Sequence, residues 1–262
     1  MLRWLSGSVP EWVVLGAFLV GLPALVLAAQ SLIHRRAPLW RRGEHNDAIA
    51  IMLSTAAIVY SVSIGLCVIT LWGQHDEAHL AIDAEATNLA AVAEGSVVFE
   101  SPVRDDVRAA VIAYNREVID GWPELTGGDV AVVGDDRLGD IRGYLGRLTP
   151  ETAAQRAFLL DAVQRLARAT ELRAAVVRQA SQPQLPNVLW VSVIGGSIVV
   201  LALSLTCGVR DPTLRRILLA GVAVTIGINL FLVIELSYPF YGSISVGPDG
   251  YMAVVVGLER AG

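Results

Sequence analysis

Four long stretches without a charged side chain, at about 12–33, 48–72, 188–207 and 217–234, constrain this chain more than any other feature. Each has about 18–25 residues, the length a helix needs to cross about 30 Å of hydrocarbon. The chain therefore reads as a multi-pass membrane protein. Two stretches precede and two follow a polar segment at 73–187, so residues 1–72 read as a first transmembrane helix pair and 188–242 as a second, with a C-terminal tail at 243–262. The expected fold is all-α: four transmembrane helices with an aqueous helical bundle inserted between the second and third spans. Val26-Leu27-Ala28 offers small residues where a signal peptidase cuts. However, the apolar run is longer than a signal core and His34-Arg35-Arg36 follows it as a stop, so the first helix is expected to be retained.

Hydrophobic residues make up 54% of the chain, above the roughly 45–50% of an ordinary soluble domain, and the excess lies in these stretches. A net charge of −5, with every cation an Arg, leaves no basic surface for nucleic acid. Cys67 and Cys207 both fall within membrane stretches. Their depths differ by roughly 20 Å at helical rise, too far for a disulfide's Cα separation of at most about 7 Å.

With four spans, both termini and the 73–187 segment share one side. The two short loops opposite carry Arg35, Arg36, Arg41, Arg42, Arg210, Arg215 and Arg216. On the segment side, Arg3, Arg173, Arg178 and Arg260 lie within reach of a helix end. Cytoplasmic loops are the richer in Arg, so the short loops are expected in the cytoplasm of a cell whose inner membrane holds the protein, and 73–187 with both termini outside it.

After Trp72 a loose helical spacing of Ala78, Ile82, Leu89 and Val92 carries the second membrane helix on into water as far as Gly95. Ser101-Pro102 signals a further helix whose apolar stripe is Val103, Val107, Ala110, Val111, Tyr114 and Val118, ending at Gly121. A Gly- and Asp-rich region holds one short apolar run at 130–133, readable as a strand or a buried loop. Thr149-Pro150 then opens a long helix to about Gln179, with Phe158, Leu159, Val163, Leu166 and Leu172 on its apolar side.

Catalytic chemistry finds little support. His75 and His79 stand at i and i+4 with Asp83 on the same face, a spacing that suits one metal ion. Yet Asp76 holds the place where a zinc-protease helix needs Glu, and no later His supplies a third ligand. A solvated helix face is the first reading of these three residues and a metal site the second. Asp129, Asp135, Asp136 and Asp140 do not keep the spacing of a calcium loop. No arrangement of Ser, His and Asp, or of Cys and His, suggests a nucleophile in a shared aqueous pocket, so the chain is expected to be no enzyme and to carry no cofactor. The membrane helices are more informative. Ser54, Ala57, Ser61 and Gly65 share one face of the second, suited to close packing or to a hydroxyl-lined lumen. In the fourth, Thr225 and Asn229 follow Gly221 at intervals of four, and a mid-membrane Asn turns toward another helix or a hydrated cavity. Glu235, at the end of that helix, reads as a snorkelling side chain.

Several landmarks resemble a bacterial family of bestrophin-like membrane proteins of unknown function. They are Glu44-His45-Asn46-Asp47 before the second helix, Trp72, Ala78 and Glu85-Ala86 after it, and Trp122-Pro123. Further on come Leu185-Pro186 with Trp190, and Pro239-Phe240-Tyr241-Gly242 running to Val246 and Pro248. The resemblance implies a four-helix membrane domain with a helical domain between the second and third spans. Bestrophins are pentameric anion channels, so it also implies a homo-oligomer with a central pore, in contact with the lipid bilayer and passing small anions. On that reading the second helix lines the path through Ser54 and Ser61, and the motif residues Glu44, His45, Asn46, Asp47, Trp72, Glu85, Pro239, Phe240 and Gly242 are candidate functional positions. This chain departs from bestrophins in two ways: its second helix lacks the bulky aromatic neck, and its Arg distribution puts the large segment outside. The alternative is a membrane-anchored sensory or scaffold module whose aqueous domain binds a ligand or partner.

Overall fold

A computed structural model describes residues 11–36, 46–123, 135–181, 185–209, 211–240 and 245–260; among them there are helices and no strands. In chain order they form α1 (Glu11–Gly16), a π-helical turn (Ala17–Gly21), α2 (Leu22–Arg36), α3 (Asn46–Gly95), a 3₁₀ turn (Ser96–Val98), α4 (Val103–Asp120), α5 (Asp135–Arg147), α6 (Ala153–Ser181), α7 (Asn187–Thr206), α8 (Pro212–Leu236) and α9 (Asp249–Arg260). The short apolar run at 130–133, readable as a strand or a buried loop, and the motif residues Glu44, His45 and Gly242 lie outside the described residues. Two compact units divide the chain: Met1–Gly73 with Gln184–Ile244, and Gln74–Pro183 with Ser245–Gly262.

The first unit holds the membrane helices. Four helices are long and apolar enough to cross a bilayer: Trp12–Ile33, the long helix beginning at Asn46, Asn187–Thr206 and Pro212–Leu236. The first of them widens into the π turn just before Pro23, whose ring would clash with the carbonyl four residues back. That turn pushes the Phe18 carbonyl against α8, where a Cβ on Gly227 would lie 2.7 Å from the oxygen, so only glycine fits. α8 is the hub of the unit: a third of its most apolar window is buried (33%), against 17% for each of the other three. It packs on α2 through Leu219, Ala223 and Val26. Ile226 and Val233 join a second cluster with Tyr60, Ile64 and Leu71 of α3 and Val193 and Val200 of α7. α3 meets α7 where Tyr60 lies over Gly196. A Cβ there would fall 2.6 Å from the ring, and the Tyr60 hydroxyl pairs with Ser197 Oγ at 2.9 Å.

Local chemistry sets the ends of these helices. Asp211 caps α8 by accepting from the Thr213 and Leu214 amides at 2.8 and 3.4 Å, with Pro212 in the first position. Asn46 opens α3 and clasps Gly208 beyond α7 in both directions. Its amide donates to the Gly208 carbonyl at 2.6 Å and its carbonyl accepts the Gly208 N–H at 2.9 Å. Asp47 lies in the first turn of α3, where a negative charge suits the helix dipole.

The second unit, which takes in the segment expected to be aqueous and is called the aqueous unit for that reason, packs the C-terminal part of α3 with α4, α5, α6 and α9. α3 ends at Gly95, where the sequence reading ends it, and at about 1.5 Å per residue this helix of 50 residues is about 75 Å long. α4 buries Val107, Val111, Tyr114 and Val118, the core of the stripe read from sequence. Two starts differ from expectation. α4 begins at Val103 after a cis Ser101–Pro102 bond, with no side-chain cap. α6 begins at Ala153, not at Pro150, because Thr152 and Gln155 form a capping box: the Gln155 N–H donates to Thr152 Oγ1, and Gln155 Oε1 accepts the Thr152 N–H, each at 3.1 Å. The buried face of α6 also differs, being Phe158, Ala162, Leu166, Ala169, Arg173, Val176 and Ala180. Val163, expected inside, is 46% exposed. Small alanines let neighbouring helices approach closely, so the larger apolar side chains are not the ones turned inward.

Candidate functional site

Two places in the molecule gather polar side chains against apolar surroundings, one in each unit. In the membrane unit, a groove of about 930 Å³ runs between α3 and α8. Its walls include Ser54, Ala57 and Ser61 from α3 and Gly221, Thr225 and Asn229 from α8. The small and polar faces singled out from sequence on two separate helices thus meet in one cavity, while Gly65 is not among its lining residues. No charged side chain lines it.

Four of the polar groups here bond to their own helices. Ser61 donates to the Ile58 carbonyl at 2.8 Å, Thr225 to Gly221 at 3.0 Å, and the Asn229 amide to Thr225 at 2.9 Å. Ser204, also in the lining, donates to Val200 at 2.8 Å. Each backbone carbonyl has a second partner in the helix ladder, so a hydroxyl that rotates toward the groove leaves nothing unsatisfied behind it. The groove can offer a passing solute hydroxyl and amide dipoles in an otherwise apolar wall.

The second gathering lies inside the aqueous unit. Along α3 the inward positions are Ala78, Ile82, Glu85, Leu89 and Val92, so a carboxylate occupies a core position of the helix. Tyr114 does the same in the stripe of α4, and Arg173 in that of α6. These residues and Tyr251 of α9 are each buried to within 1%. The Tyr114 hydroxyl donates to Glu85 Oε1 through a short bond, and the Tyr251 hydroxyl donates to Oε2 at 2.8 Å. Arg173 bonds in turn to Tyr251. Trp122 lies beside Tyr251 at 6.1 Å between ring centroids.

Burial, and then the charge of Glu85, push both tyrosines well above their usual value. Burial works against the Arg173 cation, but Tyr114 and Glu85 outweigh it and hold the guanidinium charged. Three helices meet at one carboxylate, and α6 joins them through the bond of Arg173 to Tyr251. Buried charges of opposite sign fix how helices pack more than they stabilise them, because desolvation offsets most of the attraction.

Of the family-motif positions, Glu85 sits in this cluster and Asn46 clasps the α7 end. Pro239 and Phe240 are buried in the turn after α8, while Asp47 and Trp72 are exposed. His75 and His79 place their rings 5.1 Å apart edge to face. Among the described residues no three His, Cys, Asp or Glu side chains are grouped to hold a metal. Cys67 and Cys207 are free thiols. Glu235 does not snorkel. It is 4% exposed and packs within the membrane unit. Tyr114, Arg173 and Tyr251 were not singled out from sequence as site residues. The signal available was polarity at a core register, which for Tyr114 read as an ordinary amphipathic stripe and for Arg173 as a helix-end cation.

Comparison with known proteins adds the family. No curated protein and no solved structure matches the chain. A family model described as the Bestrophin-like domain matches residues 20–251, from within the first apolar helix to the start of α9. The chain is a multi-pass membrane protein belonging to the bestrophin-like domain family.

Proposed function

We propose that this protein is a homo-oligomeric channel for small anions in the inner membrane, with α3 and α8 as the walls of the path. The observation that carries the reading is the groove between them, where hydroxyl and amide groups from both helices line a cavity free of charge. An uncharged, hydroxylated wall suits a weakly hydrated anion, because rotating hydroxyls supply donors and no fixed carboxylate repels it. Membership of the family supports the class of function. The Arg-rich short loops face the cytoplasm on this reading, and residues 73–187 with both termini lie outside.

The test is current through planar bilayers holding the purified, assembled protein. An anion-selective current that changes when Ser61 or Asn229 is replaced upholds the reading. Its absence from an assembled oligomer overturns it, and a monomer or dimer without current points instead to a membrane-anchored sensory module. Labelling of an introduced Cys at the exposed Leu160 with a membrane-impermeant reagent in intact cells tests the orientation, since only an extracytoplasmic residue reacts.

A further inference from the structure

An oligomer needs interfaces, and the aqueous unit carries two surfaces that fit each other but not themselves. The first is a ridge on α6. Arg156, Leu160 and Val163 stand at i, i+4 and i+7 on the side away from the buried stripe. Leu160 is 70% exposed and Val163 46%, large apolar side chains on a water-facing helix. The second is a groove of about 470 Å³ between α3 and α9, with a floor that includes Ala86, Ala90, Gly250 and Ala253 and with Asp83 and Glu94 among its walls.

Charge, shape and level agree. Along α6, Arg165 pairs with Asp161 and Arg168 with Glu171. Among the described residues, Arg156, Asp83 and Glu94 form no ion pair, so a cation on the ridge and two carboxylates in the groove are left without charged partners. A Leu/Val ridge entering an Ala/Gly floor is the shape that lets helices approach closely. The level follows from two contacts between α6 and its neighbours in the same unit. Gln155 reaches the Val98 carbonyl at 3.3 Å, and Arg173 lies in the cluster of Glu85. α6 therefore descends as α3 rises, which brings Arg156 within about one turn of the level of Glu94 and Val163 within about one turn of Ala90. Rotation about an axis along the bundle preserves level, and contact between two different patches repeats head to tail until the ring closes.

We propose that the α6 ridge of Arg156, Leu160 and Val163 docks in the α3–α9 groove of a second copy of this chain, so that Arg156 meets Glu94 around a closed ring. This rests on the oligomeric reading above and identifies the surface that builds the oligomer. Apolar contact supplies the affinity, and the charges select the partner and its register.

The test uses the full chain in detergent. With Ala90→Cys and Val163→Cys together, mild oxidation gives a ladder of covalent multimers on denaturing gels, which neither single variant gives. Arg156→Glu lowers the association constant about tenfold, read by native mass spectrometry, because a like charge now faces the Glu94 carboxylate. Adding Glu94→Arg restores assembly, which a variant that merely misfolds cannot do. An assembled wild-type ring whose double-Cys variant never cross-links overturns the interface, as does a charge swap that fails to rescue. Current from a ring that does not cross-link leaves the channel reading standing without this interface. A cross-linked ring without current upholds the interface and removes the channel.

Discussion

The two units use polar side chains in opposite ways. In the aqueous unit, polar groups at core positions answer one another across helices: Glu85 of α3 takes hydrogen bonds from Tyr114 of α4 and Tyr251 of α9, with Arg173 of α6 alongside. In the membrane unit, Ser61, Thr225 and Asn229 answer their own backbones one turn back and bind no neighbouring helix. Elsewhere in that unit Tyr60 bonds Ser197 of α7 and Asn46 bonds Gly208 beyond it. The first arrangement makes polar residues part of the packing. The second leaves a polar face that the fold does not need, which is the condition for using it on a solute.

The comparison breaks first at Arg173. Replacing it with Met strands a buried carboxylate among tyrosines, and loss of one partner from a buried charge pair costs about 3–5 kcal/mol. Denaturant unfolding of the aqueous helices should show it, and an unchanged midpoint would mean that the cluster does not hold the unit together. Alkali probes the same place. Tyr114 and Tyr251 have folded pKa values raised above the ordinary one. Their contribution is therefore complete below about pH 10 and lost as pH rises beyond it, because the unfolded chain ionises its tyrosines where the folded one cannot. The expected slope is about 1.4 kcal/mol per pH unit for each tyrosine, and Tyr114→Phe should lower it while reducing stability at neutral pH.

In the membrane unit the largest effect is steric. Gly196→Ala sets a methyl against the Tyr60 ring and is expected to cost about 1–3 kcal/mol, measured by thermal unfolding in detergent. The smallest effect sharpens the comparison most. Thr225→Val keeps the side-chain shape and removes only a hydroxyl bonded to its own helix, so stability should stay within about 0.5 kcal/mol while conductance changes. A large loss of stability there would make the groove a packing surface like any other.

The four membrane helices, α4, α6, the length of α3 and the polar faces of the two path helices were legible in the sequence, because hydropathy and a helical period report them directly; α5, in a stretch read as Gly- and Asp-rich turns, and α9, in what read as a tail, were not. That Ser54, Ser61, Thr225 and Asn229 share one cavity was not, since periodicity gives a face but not the helix opposite. Arg173 was harder still. Its neighbours along the helix do not distinguish a core position from a surface one, and its partners Glu85 and Tyr251 are distant in sequence. The capping box at Thr152 and Gln155 was present in the sequence but stood behind the stronger signal of Thr149-Pro150.

The central claim, that α3 and α8 wall a path, is tested most directly by thiol reactivity during current recording, in a background with Cys67 and Cys207 replaced. Cys at position 61 or 229 should react with a small charged thiol reagent and block the current, while Cys at position 25 on α2 should leave it unchanged. Block from position 25, or none from 61 and 229 in a conducting oligomer, would contradict the account.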